Sequence, residues 1–225
     1  MALSNRFEAT VDCAEAFLRD QIPPPLRAFV PATLKNAYDA AALLIKDEAI
    51  LNVTSAQDNR GRIIQWAVDL GFERLCQSGQ WPFDFRWRWF ERPTGRYLEI
   101  LPSHSAVTIS QVSDASKQPR DVAFRANKRV NGQGWLRGLP KPEGQEPPGG
   151  APHILLVHGY QDLNFAHLGL PKEDQQTGYH YRSSNLMLMP HIVTSPEPPP
   201  EDTDIEAIIT LKDQIDKWRR DNGSE

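Results

Sequence analysis

A histidine and a tyrosine at the end of an apolar run are the residues best placed for acid–base chemistry. The run Ile154–Val157 has the composition of a buried strand, and His158, Gly159 and Tyr160 follow it directly. A strand end that opens into a glycine turn is a common position for an imidazole that exchanges protons near neutral pH. We therefore predict His158 and Tyr160 as candidate catalytic residues, with a plain turn as the competing interpretation.

A second pattern resembles the metal-dependent site of restriction-endonuclease-like nucleases. Those enzymes hold one acid on a strand and a Glu/Gln-x-Lys motif on the next, so that carboxylates and a lysine share a metal ion and a water. Here Glu99 and Gln111 fall on adjacent predicted strands, and Lys117 follows. Gln111 replaces the second acid, however, and Ser113 stands where the motif has lysine. Packing positions are the competing interpretation, so whether the chain is an enzyme stays open.

Basic and aromatic residues are interleaved in the middle of the chain. The segment Lys117–Arg137 contains Phe124 and Trp135 among its basic residues. Arginine binds phosphate through paired hydrogen bonds, and aromatic rings stack on nucleobases. The segment therefore predicts a contact with nucleic acid, RNA in particular. The residues predicted to make this contact are Lys117, Arg120, Arg125, Lys128 and Arg129.

The predicted strand before that segment alternates two residue types. Trp87 and Trp89 alternate with Arg86 and Arg88, which places tryptophans and arginines on opposite faces of the strand. Two interpretations stay open. In the first, both types contact nucleic acid. In the second, the tryptophans face the core while the arginines pair with acidic residues elsewhere in the chain.

Charge is distributed unevenly along the chain. Between positions 86 and 141 there are eleven lysines and arginines against four acidic residues, a net charge of +7 in a chain whose total is −4. A basic region within an acidic protein attracts anionic partners. This asymmetry favours nucleic acid as the partner.

Several classes of protein are disfavoured by what the sequence lacks. It has two cysteines, a charged N-terminal stretch and no apolar run near the ~20 residues of a membrane span. These features predict a cytoplasmic protein that has no contact with a membrane. The scattered positions of the six histidines favour hydrogen-bonded residues over a metal site. No known nucleotide-binding or hydrolase motif is present, so the sequence assigns no cofactor.

Helical periodicity dominates the first third of the chain. Apolar spacing predicts helices over Ser4–Arg19, after Pro31, and from Ser55 to about Ser78. The prolines of Pro23–Pro25 end the first helix. The segment Ser55–Asp58 resembles a capping box at the start of the third.

The apolar period then shortens to two residues. Strands over Phe85–Trp89, Arg96–Leu101 and Ala106–Val112 predict a three-stranded antiparallel meander. A further strand is predicted over His153–Val157, past a loop rich in proline and glycine, and another over Asn185–Met189.

The C-terminal residues form a separate pattern. Residues 195–201 are proline-rich and predict a linker, and residues 202–225 predict an amphipathic helix. Residues 1–194 are predicted as one α+β domain, helical over 1–78 and sheet-rich over 82–194, with N-terminal helices packed on a central, mainly antiparallel sheet. An isolated helix of this length is marginally stable, so its apolar stripe predicts docking on the core, on a protein partner or on a second copy. The stripe consists of Ile205, Ile208, Leu211, Ile215 and Trp218.

Two segments resemble a group of bacterial proteins. They are Val107–Asn127, with its Pro119-Arg120 and Phe124-Arg125 pairs, and His158–Pro171. In these segments the chain is similar to uncharacterised proteins encoded beside a helix-turn-helix or zinc-peptidase-like partner, in a toxin–antitoxin-like or phage-defence arrangement. The resemblance covers about half of the chain and assigns no catalytic residue.

Two functions are therefore expected. The first is a bacterial effector of the toxin or defence type that binds or acts on nucleic acid and is restrained by a protein partner. The alternative is a non-enzymatic interaction or regulatory protein that docks through its C-terminal helix. The charge asymmetry favours the first function, and the absence of a catalytic motif favours the second.

Overall fold

A six-stranded sheet covered by helices on one face forms the fold in the computed structural model, which describes residues 13–90, 95–119, 151–172 and 178–190. The strands lie in the sheet in sequence order, and all neighbours are antiparallel except the central pair, β3 and β4, which is parallel. The predicted α+β class and mainly antiparallel sheet are confirmed. The strands are β1 (Asp84–Trp89), β2 (Arg96–Leu101), β3 (Ala106–Val112), β4 (His153–Gly159), β5 (Ala166–Pro171) and β6 (Tyr179–Arg182).

The helices precede the sheet and differ from the prediction at two places. The single helix predicted from Ser55 to about Ser78 is two helices, α4 (Thr54–Gln57) and α5 (Arg60–Gln77), separated by a turn. Helix α3 begins at Phe29 instead of after Pro31, because a proline is tolerated in a first turn, where its missing N–H has no partner to lose. Ser55 lies inside α4 and Val53 holds its N-cap position, so the predicted capping box does not form. The helices are α1 (residues 13–21), α2 (Pro24–Arg27), α3 (Phe29–Asp47), α4 (Thr54–Gln57) and α5 (Arg60–Gln77), with 3-10 turns at Ala49–Asn52 and Leu186–Leu188.

One apolar core fills the space between the helices and the sheet. Alternate residues of each central strand face α3 and α5, as the period of two in a strand requires. Burial of large apolar side chains at about 25 cal/mol per Å² is the main term that holds the two layers together. Members of this core include Leu34, Val68, Phe72, Leu98, Ile100, Val107, Leu156 and Leu168.

The opposite face of the sheet is also buried, and much of it is polar. On this face Thr108 Oγ1 lies 2.8 Å from His153 Nε2. Glu99 on β2 and His167 on β5 are also buried on this face. Strands that are buried on both faces lose the alternation of apolar and polar residues. The run Ile154–Val157 was recognisable as a strand for this reason, by its continuous apolar composition.

A strand predicted over Asn185–Met189 is wrong. The side-chain oxygen of Asn185 accepts hydrogen bonds from the backbone N–H groups of Met187 and Ala166, so the segment turns as a 3-10 helix beside β5. Asparagine favours such local side-chain bonds to the backbone over a strand ladder.

Several predictions fall outside the described residues. They concern the linker at 195–201, the helix at 202–225, and the basic residues Arg120, Arg125, Lys128 and Arg129. All described residues belong to one unit, delimited as Met1–Ile192. No helix in the described ranges combines the length and the apolar character needed to cross a membrane.

Candidate functional site

A cleft opens in the sheet where β2 and β3 separate. Only two residue pairs, Glu99–Thr108 and Ile100–Val107, join these strands, whereas β3 and β4 are paired over seven. The β1–β2 hairpin therefore diverges from β3 and leaves a cleft of about 740 Å³, called here the β2–β3 cleft. Its described lining includes Gln65, Asp69, Phe90, Arg96, Tyr97, Gln111, Lys117 and Tyr160.

Asp69 on α5 is a buried carboxyl in this cleft. It is 6% exposed, and Gln65 Nε2 donates to its Oδ1 at 2.8 Å. Burial raises the pKa of Asp69 to about 7; the Gln65 hydrogen bond lowers this pKa, and the nearby Glu73 charge raises it. A strongly shifted carboxyl that lines a cleft is typical of a functional site. Asp69 was not among the predicted site residues, although it lies three residues before Phe72 and therefore on the buried side of α5.

Gln111 and Tyr160, two of the predicted catalytic residues, also line the cleft. Gln111 Nε2 donates to the carbonyl of Gly61 at 2.6 Å, and Gln111 Oε1 is buried without a hydrogen-bond partner among the described residues. A Cβ atom at Gly61 would lie 3.1 Å from the Tyr160 ring, so the glycine permits this close packing. Tyr160 remains 49% exposed.

His158, the third predicted catalytic residue, is buried behind the cleft and does not line it. Its Nδ1 lies 2.8 Å from the Tyr38 hydroxyl, which donates to the carbonyl of Gly159. Because that hydroxyl has a single proton, Nδ1 must carry the proton shared with Tyr38, and Nε2 is left as an acceptor. Nε2 has no partner within the described part of the chain. The acid–base role of His158 stays a prediction.

Burial lowers the pKa of His158 from 6.5 to about 4, although its hydrogen bond to Gly159 raises this pKa. The imidazole is therefore neutral in the folded protein and gains a proton more readily on unfolding. We expect the free energy of unfolding to fall by roughly 3 kcal/mol as the pH drops from 6.5 to 4. A His158→Gln variant should lack this loss when both proteins are denatured with urea across that pH range.

The control for this experiment is His104→Gln, which changes an exposed histidine. Burial also lowers the pKa of His167 and of His180. These two histidines are present in the wild type and in His158→Gln, so their contributions cancel in the difference between the two unfolding free energies. Parallel pH curves for the wild type and His158→Gln would contradict the prediction.

Glu99, the fourth predicted catalytic residue, lies on the other face of the sheet. Its Oε2 accepts from Arg86 Nε at 2.5 Å and lies 3.8 Å from Arg88 Nε. Because Glu99 pairs with Thr108, Gln111 three residues further on faces the opposite side. Glu99 and Gln111 are therefore not brought together as the nuclease pattern requires. The described residues contain no group of three acidic, histidine or cysteine side chains that could hold a metal ion.

The β1–β2 hairpin exposes its aromatic residues. Trp87 is 38% and Trp89 57% exposed, so the interpretation that both tryptophans are core residues is wrong. The other half of that interpretation, the pairing of the arginines with an acidic residue, agrees with the contacts of Arg86 and Arg88 to Glu99. Trp87 Nε1 donates to Glu73 on α5 at 2.9 Å. The Arg96 guanidinium lies 4.1 Å from the centre of the Trp89 ring, a cation–π contact.

The β2–β3 cleft suits an anionic ligand that has a polar, planar part. Its interior combines a carboxyl that is neutral below about pH 7 with amide groups, and its lining also includes Arg96 and Lys117. Aromatic rings lie both in the cleft and on the hairpin.

Comparison with known proteins identifies no relative, since no protein-family model, no curated protein and no solved structure matches the chain.

Proposed function

We propose that this chain binds single-stranded nucleic acid on its β1–β2 hairpin and acts as a bacterial effector of the toxin or defence type, restrained by a protein partner. The observation that carries the proposal is the exposure of Trp87 and Trp89 on a strand that also presents Arg86 and Arg88. The effector role is supported by the resemblance of two of its segments to toxin–antitoxin-like and phage-defence proteins.

The exposed tryptophans supply stacking surfaces. A base stacked on an aromatic side chain contributes about 1–3 kcal/mol, whatever its identity. Burying indole rings inside the fold would stabilise the protein, so their exposure on a strand is better explained by a ligand. Arg96 over the Trp89 ring places a cation beside that surface, where a phosphate would follow a stacked base.

The arginines supply hydrogen-bond donors. The side chains of Arg86 and Arg88 are 49% and 51% exposed, and both approach the single carboxylate of Glu99. Asp84 lies on the same face, so the two guanidinium groups are matched by two carboxylates, and what the arginines offer a phosphate is their exposed N–H donors. Phosphate contacts of this kind release counterions and make binding depend on salt.

The hairpin position also leaves room for a ligand. Among the described strands, β1 is an edge of the sheet and pairs with β2 alone. Lys117 lines the cleft beside the hairpin, and the basic residues predicted at 120–129 follow it in the chain. A strand of nucleic acid on the hairpin would thus lie close to Lys117.

Replacing Trp89 with alanine should weaken binding of a single-stranded oligonucleotide by about tenfold, because one stacking contact is lost. Trp89→Phe should retain most of the affinity, since it keeps an aromatic ring. Fluorescence anisotropy with labelled RNA and DNA measures both effects. Ile50→Ala, at a 74% exposed apolar residue in the 3-10 turn before α4, is the matched control and should bind as the wild type does.

Salt titrations extend the same experiment. Arg88→Ala should reduce the slope of log affinity against log salt concentration by about one, whereas Arg62→Ala, at an exposed position on α5, should not. Expression of the wild type alone should slow bacterial growth, and Trp89→Ala should relieve that effect. Equal binding by the wild type and Trp89→Ala would overturn the assignment of the hairpin.

A second function, protein interaction, is favoured by an exposed apolar corner at the end of α3 and the turn that follows it. Leu43, Leu44, Ile50 and Val53 are between 49% and 74% exposed there. Neighbouring apolar residues exposed in this way mark interaction sites more often than solvated surface. This corner is a candidate surface for the restraining partner. Protein interaction is the function that would remain if oligonucleotides do not bind.

A further inference from the structure

The β2–β3 cleft contains hydrogen-bonding groups that strand binding on the hairpin does not use. Gln65 Nε2 donates to Asp69 Oδ1 at 2.8 Å, and the Asp69 carboxyl lines the cleft. Gln111 Oε1 is buried and has no hydrogen-bond partner within the described ranges. A buried polar atom without a partner costs about 1–3 kcal/mol, so Gln111 Oε1 beside the Asp69 carboxyl points to a ligand that satisfies it.

The chemistry of each group follows from its contacts. The carbonyl of Gly61 only accepts, so the Gln111 amide must turn its nitrogen toward it and present its oxygen elsewhere. Gln111 Oε1 is therefore a fixed acceptor. Asp69 offers an O–H donor through Oδ2 whenever the carboxyl is protonated. The matching ligand presents both a donor and an acceptor and is uncharged at that edge.

The walls of the cleft suit a flat ligand that also carries an anionic group. Phe90 and Tyr97 stack on each other with ring centres 5.5 Å apart and planes at 28°, and Tyr160 lines the cleft as well. Arg96 and Lys117 are exposed lining residues with positive charge. At about 740 Å³ the cleft has the size of a small-molecule site. A planar polar ring joined to a phosphate is a nucleotide.

We propose that the β2–β3 cleft binds one unpaired nucleotide, with its base hydrogen-bonded by Asp69 and Gln111 and its phosphate at Arg96 and Lys117. The inference rests on the proposed function, because a strand held on the hairpin supplies the unpaired nucleotide. Arg96 contacts Trp89 and lines the cleft, so it connects the two surfaces. The hairpin then provides affinity without base preference, and the cleft discriminates between bases.

The test uses the full-length protein and the common nucleoside 5′-monophosphates as probes in isothermal titration calorimetry. At least one monophosphate should bind, and Gln111→Ala should weaken it by about tenfold because its acceptor is lost. Gln77→Ala, at an exposed glutamine at the end of α5, is the matched control and should bind as the wild type does.

The pH dependence isolates the role of Asp69. The donor O–H disappears when the carboxyl ionises, so wild-type affinity should fall between pH 6 and pH 8 by about tenfold, whereas Asp69→Asn, whose amide always donates, should not show this fall. Glu73 on α5, Arg96 and Tyr97 on β2, Lys117 and Tyr160 also face this region. They are present in both proteins, so the ratio of the two affinities cancels their titration and that of the ligand phosphate.

The outcomes separate this inference from the proposed function. If oligonucleotides bind with the expected dependence on Trp89 but no monophosphate binds at millimolar concentration, and Gln111→Ala binds the oligonucleotide as tightly as the wild type does, the cleft inference is overturned and the hairpin proposal stands. If monophosphates bind with the expected dependence on Gln111 and pH while oligonucleotides do not bind, the cleft is supported and the hairpin proposal fails. Equal pH dependence in the wild type and Asp69→Asn would also overturn the cleft inference.

Discussion

Replacing Trp81 with alanine should lower the free energy of unfolding by about 3–5 kcal/mol, the range for large aromatic residues in a core. Trp81 is fully buried and packs between Phe72 and Phe83, with ring centres 5.3 and 5.4 Å away. Its Nε1 donates to the carbonyl of Leu26 at 2.7 Å, so truncation leaves a cavity and also removes this hydrogen bond. Urea denaturation followed by circular dichroism measures the loss.

Trp66→Ala is the matched control, because Trp66 is 63% exposed on α5. Its stability should stay within about 0.5 kcal/mol of the wild type, as for most surface substitutions. Since whole domains are stable by only about 5–15 kcal/mol, Trp81→Phe provides a milder second variant that keeps a ring and removes the N–H donor. Equal stability of the Trp81 and Trp66 variants would show that the core between α2 and α5 is misassigned.

Asp69→Asn should stabilise the protein at pH 8 and have little effect at pH 4. The folded-state pKa of Asp69, about 7, lies above the ordinary value of 3.8, so folding favours the protonated form. Stability from this group is complete below pH 4 and is lost as the pH rises through 7. The shift corresponds to roughly 4 kcal/mol, which asparagine avoids because it stays neutral. Thermal unfolding at several pH values measures the difference.

Asp58→Asn is the control for this experiment, since Asp58 is exposed in the turn between α4 and α5. Its stability difference from the wild type should not depend on pH in the same window. A variant at Asp69 that follows the wild-type pH curve would show that the carboxyl is solvated in the cleft. A stabilised Asp69→Asn variant would instead mean that the buried carboxyl of Asp69 lowers the stability of the fold, which is common at functional sites.

The helices and the first three strands could be predicted because each presents a repeating pattern to one core. Leu34, Ala37 and Ala41 recur at helical spacing and are buried in α3. The alternation of tryptophan and arginine in β1 indicated a strand with two different faces. The sequence did not indicate how exposed each face of β1 is, because that exposure depends on the neighbouring helix α5 and on the Glu99 carboxylate.

Strands β5 and β6 were not predicted because their signals depend on distant contacts. Gly169 interrupts the apolar pattern of β5, yet a Cβ atom there would lie 2.5 Å from the Tyr179 ring, so the glycine is required by packing across the strands. His167 beside it is polar but buried. Neither fact can be derived from the residues next to them in the sequence.

The candidate site was predicted only in part for the same reason. Gln111 and Tyr160 were selected from the chain, but the residue that joins them in the cleft, Asp69, comes from a helix earlier in the sequence. His158 was predicted as an acid–base residue because it ends a strand at a glycine turn, whereas in the fold it is buried against Tyr38, 120 positions away. Sequence patterns report which elements form, whereas the separation of β2 from β3 that opens the cleft is a property of their pairing.

The two strands at the centre of the sheet, β3 and β4, are joined by the longest connection between neighbours, residues 113–152. The other neighbouring strands are joined by short connections such as residues 102–105 and 160–165. The entropy lost on closing a loop grows with its length, and pairings distant in sequence form late in folding. Strands β1–β3 and β4–β6 can therefore assemble as two separate antiparallel units, each stabilised by local turns. The most buried seam of the finished sheet is then the last to close, and until it does, β3 and β4 are open edges.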